Sequence, residues 1–223
     1  MNSDSILQIF MTDSAEELEK YLLEFDDVEQ TINQISKKIP ILFDSPPLIS
    51  VAAFFGAFNC FQLLCLNNAD LEHTDNNHRF PVHFAVCGGN IDILDLLDSY
   101  SVDYTVLDIN KIGCIHYASQ FGQVSVVQRL LQRNFSFRAK DAFGMNAVHY
   151  SAMFNSVQII DLFNSKGANL NAKSRYGTPF CIAVKNNSTE VVRYLIDHGI
   201  DSNQIVNRHN YNALMYSIKK NLD

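Results

Sequence analysis

The chain has 223 residues, 47% of them hydrophobic, and a formal charge of −7. That composition is ordinary for a folded globular protein. Its acidic balance excludes a surface built to wrap a nucleic-acid backbone, which needs clustered Lys and Arg.

The charge is uneven, with −7 in residues 1–45, −4 in 46–135 and +4 in 136–223. Within the acidic stretch, Ile6, Leu7, Ile9 and Phe10 predict a short first helix. Ser14 with Glu17 has the spacing of a capping box, and Leu18, Tyr21, Leu22 and Phe25 follow at helical spacing. Asp27 with Gln30 predicts another helix start, with Val28, Ile32, Ile35 and Ile39 on one face. Pro40, Pro46 and Pro47 close the region. Residues 1–45 are therefore expected to form an acidic helical cap, a hairpin whose apolar stripe covers the open end of residues 46–223. Its carboxylates are read as a solvated face.

From residue 46 to 223 the chain repeats. Six segments align, starting near 47, 80, 113, 146 and 178, with a partial one near 212. Each begins a short predicted helix with a small residue at its sixth place: Ala52, Ala85, Ala118, Ser151, Ala183 and Ser217. Small side chains there let adjacent helices approach closely. A second helix carries the pairs Cys60-Phe61, Ile93-Leu94, Val126-Val127, Ile159-Ile160 and Val191-Val192. One turn later stand Leu64, Leu97, Leu130, Phe163 and Leu195. Asn68, Ser101, Asn134, Gly167 and Gly199 occupy the helix end, where a left-handed residue is expected, and Ser101 fits that role least well. A helix pair and a turn cannot bury a core alone, so each copy needs neighbours.

A turn–helix–helix period of about 33 residues with this small/apolar code resembles the ankyrin repeat. The family's Thr-Pro-Leu-His tetrapeptide is never complete: Thr178-Pro179 keeps its first half, and His83, His116 and His149 keep its last residue. Only Asn146 with His149 retains both a polar cap and the His, so the other helix starts are expected to be less well capped. The Phe- and Cys-rich opening copy and the helical segment before it look similar to divergent arrays of parasitic protists. The resemblance implies an all-α ankyrin-repeat solenoid of stacked helix-turn-helix units with an N-terminal helical cap.

Catalytic and metal chemistry find little support. Three histidines one copy apart cannot meet at one ion, because stacked helices lie about 8–10 Å apart and a Zn–N bond is about 2 Å. Cys114 and His116 stand two apart at a helix start, and Cys87 with His83 lacks a third group or an oxyanion loop. Gly88-Gly89 reads as a break between helices. No enzyme activity, cofactor or metal is expected. The five cysteines form no CxxC pair and suit a reducing compartment. The most apolar run, Val51 to Leu66, is too short and broken to span a bilayer. The N-terminus lacks a signal-peptide pattern. An intracellular, cytoplasmic protein without membrane association is expected.

In ankyrin arrays the turn tips and the outer side of the first helix form a concave face that usually binds a partner protein. Carried over, that resemblance implies Phe54, Phe55, Phe121, Phe143, Met145, Met153, Phe154, Arg175, Tyr176, Lys185, Arg208 and Tyr211 as partner-binding residues. Asn76, Asn77, Arg79, Cys87, Ile109, Asn110, Ile112, Gln120, Ala142 and Asn186 share those positions, and so do His209, Lys219 and Lys220. The fifth turn is one residue short, which leaves its register open. The expectation is a non-catalytic scaffold with a groove apolar at its centre and basic toward the C-terminus. Its partner segment would carry apolar anchors flanked by acids. The alternative is a targeting or regulatory segment of a larger enzyme or membrane protein. With only one helix of the sixth copy present, continuation of the array or self-association through the C-terminal end is also expected.

Overall fold

Why the chain breaks into short helices is visible at its left-handed residues. In the computed structural model, which describes residues 3–25, 27–32, 39–204, 212, 213 and 215, two left-handed positions recur at the helix ends of each full copy. One separates the copy's two helices (Gly56, Gly89, Gly122, Asn155, Asn187), and the other follows the second helix (Asn68, Ser101, Asn134, Gly167, Gly199). Asn and Gly tolerate this conformation, whereas Ser101, at φ 57°, adopts it without their advantage.

The chain forms two units, Met1–Ile109 and Asn110–Asp223. The first contains α1 (Ser3–Thr12), α2 (Ala15–Phe25), a 3-10 turn (Pro40–Leu42), α3 (Leu48–Phe55), α4 (Phe58–Leu66), α5 (Pro81–Gly88) and α6 (Ile91–Ser99). Within it α1 packs on α3 and α3 on α5, while α2 packs on α4 and α4 on α6. The second contains α7 (Cys114–Gln120), α8 (Val124–Gln132), α9 (Ala147–Met153), α10 (Val157–Ser165), α11 (Pro179–Lys185) and α12 (Thr189–Asp197). There α7, α9 and α11 form one layer and α8, α10 and α12 the other. Among the described residues β structure is confined to isolated bridge positions, such as the pairs Thr31–Pro47 and Ser174–Gly177. The fold is all-α.

The five complete copies begin where the sequence pattern places them. Pro47, Phe80, Gly113, Asn146 and Thr178 are the residues that precede the first helices. Ala52, Ala85, Ala118, Ser151 and Ala183 are fully buried, as are Leu64, Leu97, Phe163 and Leu195, with Leu130 nearly so. Of the ten residues in the second-helix pairs, Val192 alone is only half-buried. Ser217 lies outside the described residues. Gly88 has a steric role beyond ending α5: an added Cβ would stand 2.5 Å from the carbonyl oxygens of Ala53 and Phe54.

The N-terminal region departs from its expected form. The hairpin is α1 with α2, and the helix expected from Asp27 does not form over residues 27–32. The Asp27 carboxylate accepts from the Glu29 N–H at 3.0 Å, a local bond that competes with a helical start. Beyond it the Ile32 N–H donates to Pro46 O and the Leu48 N–H to Gln30 O, both at 3.0 Å. Residues 33–38 of the expected stripe lie outside the described residues.

The acids here are not simply solvated either. Asp13, at the α1–α2 break, accepts from the N–H groups of Asn59 and Cys60 at 3.1 and 2.9 Å, which caps α4. Asn155, at the α9–α10 break, accepts from Val191 N–H at 3.1 Å and caps α12 in the same way. The α1–α2 pair thus stacks on α3–α4 as another copy would.

Candidate protein-binding face

The loops that precede the first helices are built on buried acids one period apart: Asp75, Asp108 and Asp141. Asp141 Oδ1 accepts from the N–H groups of Phe143 and Met145, both at 2.8 Å, and Oδ2 accepts from the Tyr150 hydroxyl at 2.8 Å. Asp75 Oδ1 accepts from Asn77 and Arg79 N–H, both at 2.9 Å. This series is legible as a recurring Asp in the aligned copies, but acids at turns read as solvated. It fixes the loop shape.

Consecutive loops within each unit are joined backbone to backbone. In the first unit Asn76 N–H donates to Asp44 O and Ile109 N–H to Asn77 O, at 3.0 and 3.1 Å. In the second, Ala142 N–H donates to Asn110 O and Arg175 N–H to Phe143 O, both at 2.9 Å. The bond at Arg175 resolves the register of the fifth turn. Its tip aligns with the others, and the missing residue falls between Gly177 and Thr178, where the fourth copy has Met145. The loop closes with Ser174 N–H to Gly177 O, where Asp141 N–H reaches Met145 O one residue further on.

Each retained histidine ties its helix start to the next loop. The rings of His83, His116 and His149 accept at Nδ1 from the N–H of Phe80, Gly113 and Asn146, each at 3.1 Å. Their Nε2 atoms face the carbonyls of Val106, Ala139 and Ala172 at 3.1, 3.0 and 3.1 Å. These backbone partners fit the neutral Nε2–H tautomer, and the Asn146 side-chain amide also lies 2.7 Å from His149 Nδ1. Burial, the largest cause, pushes His83 and His149 down to about 4. In the fifth copy Cys181 stands where the His would be, and the Thr178 hydroxyl donates to Gln204 Oε1 at 2.8 Å. None of the five cysteines is in a disulfide. Burial, reinforced for Cys60 by the nearby Asp13 carboxylate, pushes Cys60 up to about 12, and burial raises Cys65 to about 11. Neither is a thiolate nucleophile at neutral pH.

The candidate binding residues fall into three groups. In the second unit Met145, Tyr150 and Ile182 form a buried cluster, with Ile112, Phe143 and Met153 half-buried against it. The Phe143 and Tyr176 rings lie 5.5 Å apart. Phe154 is 48% exposed and Tyr176 45%. Phe121 is half-buried just after α7, and Arg175 is exposed. Lys185 Nζ donates to Tyr176 O at 2.9 Å, so its charge is held against the loop. In the first unit Phe54 and Phe55 are half-buried with their rings edge-to-face at 5.4 Å. A third group, Arg208 and Tyr211 with His209, Lys219 and Lys220, lies outside the described residues.

Three expected surface residues prove to be interior. Met145 is only 2% exposed and belongs to the core cluster. Cys87 is buried in α5. Arg79 is buried between carboxylates: its Nε donates to Asp75 Oδ2 at 2.6 Å, and its terminal nitrogen to Asp44 Oδ2 at 3.1 Å and to Ile41 O at 2.7 Å. Arg79 and Met145 each follow a left-handed residue, His78 or Gly144.

Helix pairs stacked in two layers, with stitched loops on one side, define a repeat-built solenoid. A family model described as ankyrin repeats (many copies) matches residues 115–164, and one described as ankyrin repeats (3 copies) matches residues 162–223. The protein is an ankyrin-repeat protein with an all-α solenoid fold. Ankyrin repeats generally mediate protein–protein interactions. No curated protein matches the chain. No helix among the described residues is long and apolar enough to cross a membrane.

Proposed function

We propose that this protein is a non-catalytic binding module whose second unit receives a partner segment on its concave side, along the loops and first helices. The supporting observation is that Ile112, Phe143 and Met153 lie half-buried against the Met145–Tyr150–Ile182 cluster, with the Tyr176 ring 5.5 Å from Phe143 and the exposed Phe154 next to Met153 in the chain. Apolar groups gathered on one surface mark an interface, and Phe, Tyr and Met are common anchors there. Exposed Lys140, Lys173 and Arg175 stand near these residues in the chain, while Asp141 is buried and engaged within its own loop. The fitting partner is a segment with apolar anchors flanked by acids. Phe121 extends the surface, and Phe54 and Phe55 give the first unit a smaller one.

In this reading residues 1–45 are a cap and residues 46–223 the array, in an intracellular setting that suits five cysteines outside any disulfide. Panning a random displayed-peptide library tests it. Enriched peptides are expected to combine acids with aromatic or aliphatic anchors, and to be lost on a folded variant carrying Phe143→Ser, Met153→Ser and Phe154→Ser. Enrichment of basic peptides, or retention by that variant, would contradict it.

A further inference from the structure

The last residue of the second helix is exposed in every complete copy: Leu66, Ser99, Gln132, Ser165 and Asp197. Four are polar, as a solvated helix end is expected to be. Leu66 is the exception and is 71% exposed. Its neighbouring helix α2 departs in the same direction, ending in exposed Phe25 with Leu23 two residues earlier at 80% exposure. Between these helix ends lies a groove lined by Glu19, Leu22, Leu23, Asp27, Val28 and Asn67. Leu22 and Val28 are half-buried in it. Nothing in the stacking of α2 on α4 calls for these exposed leucines.

The electrostatics are one-sided. Glu19, Glu24 and Asp27 are exposed, and neither α2 nor α4 has a basic residue in its last turn. Both helices direct the negative end of their dipoles here, where a cation is the favourable complement. The base of α2, Lys20, is paired with Glu16 at 2.8 Å. We propose that the C-terminal ends of α2 and α4 form a second docking surface for a cationic amphipathic segment of a partner protein, its aliphatic stripe on Leu22, Leu23 and Leu66 and its Lys or Arg residues facing Glu19, Glu24 and Asp27. This surface belongs to the first unit and selects the opposite charge from the face on the second.

The test uses the full chain and a fluorescein-labelled peptide of lysine and leucine, with leucines at helical spacing, followed by anisotropy. Binding is expected to weaken with salt. It is also expected to fall about tenfold or more in the Leu23→Ser/Leu66→Ser variant, since each leucine loses its burial in the complex. Both positions are exposed, so the variant keeps its fold, checked by circular dichroism. Equal binding of a scrambled lysine–leucine peptide whose leucines form no stripe would overturn the proposal, as would unchanged binding by the variant. Two other occupants are separate arms: phosphatidylcholine vesicles, and a second copy of the chain tested by sedimentation. Preference for either, lost in the same variant, would also overturn it.

Discussion

His149 Nε2 faces the carbonyl of Ala172 at 3.1 Å, 23 residues downstream, while its Nδ1 accepts from the Asn146 N–H. One ring thus fastens the start of α9 to the loop that succeeds its own copy. His116 and His83 repeat the relation with Ala139 and Val106. The family His is a structural clip, and its chemistry makes stability sensitive to acid.

His83 and His149 are held near 4 in the folded chain, below the value of about 6.5 for a free imidazole. As pH falls below about 6.5 the unfolded chain takes up these protons first, so their contribution is complete above that pH and is lost between about 6.5 and 4. At most about 3 kcal/mol per ring is involved. Urea midpoints are expected to drop between pH 7 and pH 5, with a shallower drop in a His83→Gln/His149→Gln variant. Identical pH slopes for the two proteins would refute the assignment.

Arg79 is buried with the carboxylates of Asp75 and Asp44 around its guanidinium. Arg79→Ala leaves Asp75 buried without its cation and is expected to cost about 3–5 kcal/mol. Thermal denaturation checks this, and a loss under about 1 kcal/mol would mean that Arg79 reaches solvent.

Ser101 adopts φ 57° where two other copies use Gly. Ser101→Gly is expected to stabilise by about 1 kcal/mol, because a left-handed residue without a Cβ is unstrained. A raised melting temperature agrees, and a lowered one would mean that the serine side chain contributes an interaction of its own.

Met145 and Phe154 look alike in the sequence pattern, yet their substitutions are expected to diverge. Met145→Ser opens the cluster with Tyr150 and Ile182 and is expected to cost about 2–5 kcal/mol. Phe154→Ser is expected to leave the melting temperature nearly unchanged and to weaken peptide capture. Equal effects on stability would erase the distinction between core and face.

Much of the array is legible in the sequence because period and burial coincide. The small residue beside the first-helix interface and the Leu or Phe of the second helix must recur wherever identical layers stack. Arg79 and Met145 escape that logic, since both follow a left-handed residue and lie buried at the base of their loops. The helix expected at Asp27 fails because the backbone of residues 30–32 bonds with residues 46–48, a distant pairing that no local pattern announces. The fifth register needs the bond from Arg175 to Phe143. The exposed Leu66 is visible in the aligned copies, but its meaning depends on the groove that the next residue, Asn67, lines together with Glu19, Leu22, Leu23, Asp27 and Val28.

Hydrogen exchange with and without a peptide enriched on the protein tests the central claim most directly. The account predicts that the peptide slows exchange in the loop around Phe143, at Met153–Phe154 and at Arg175–Tyr176. Protection confined to α8, α10 and α12 would contradict it.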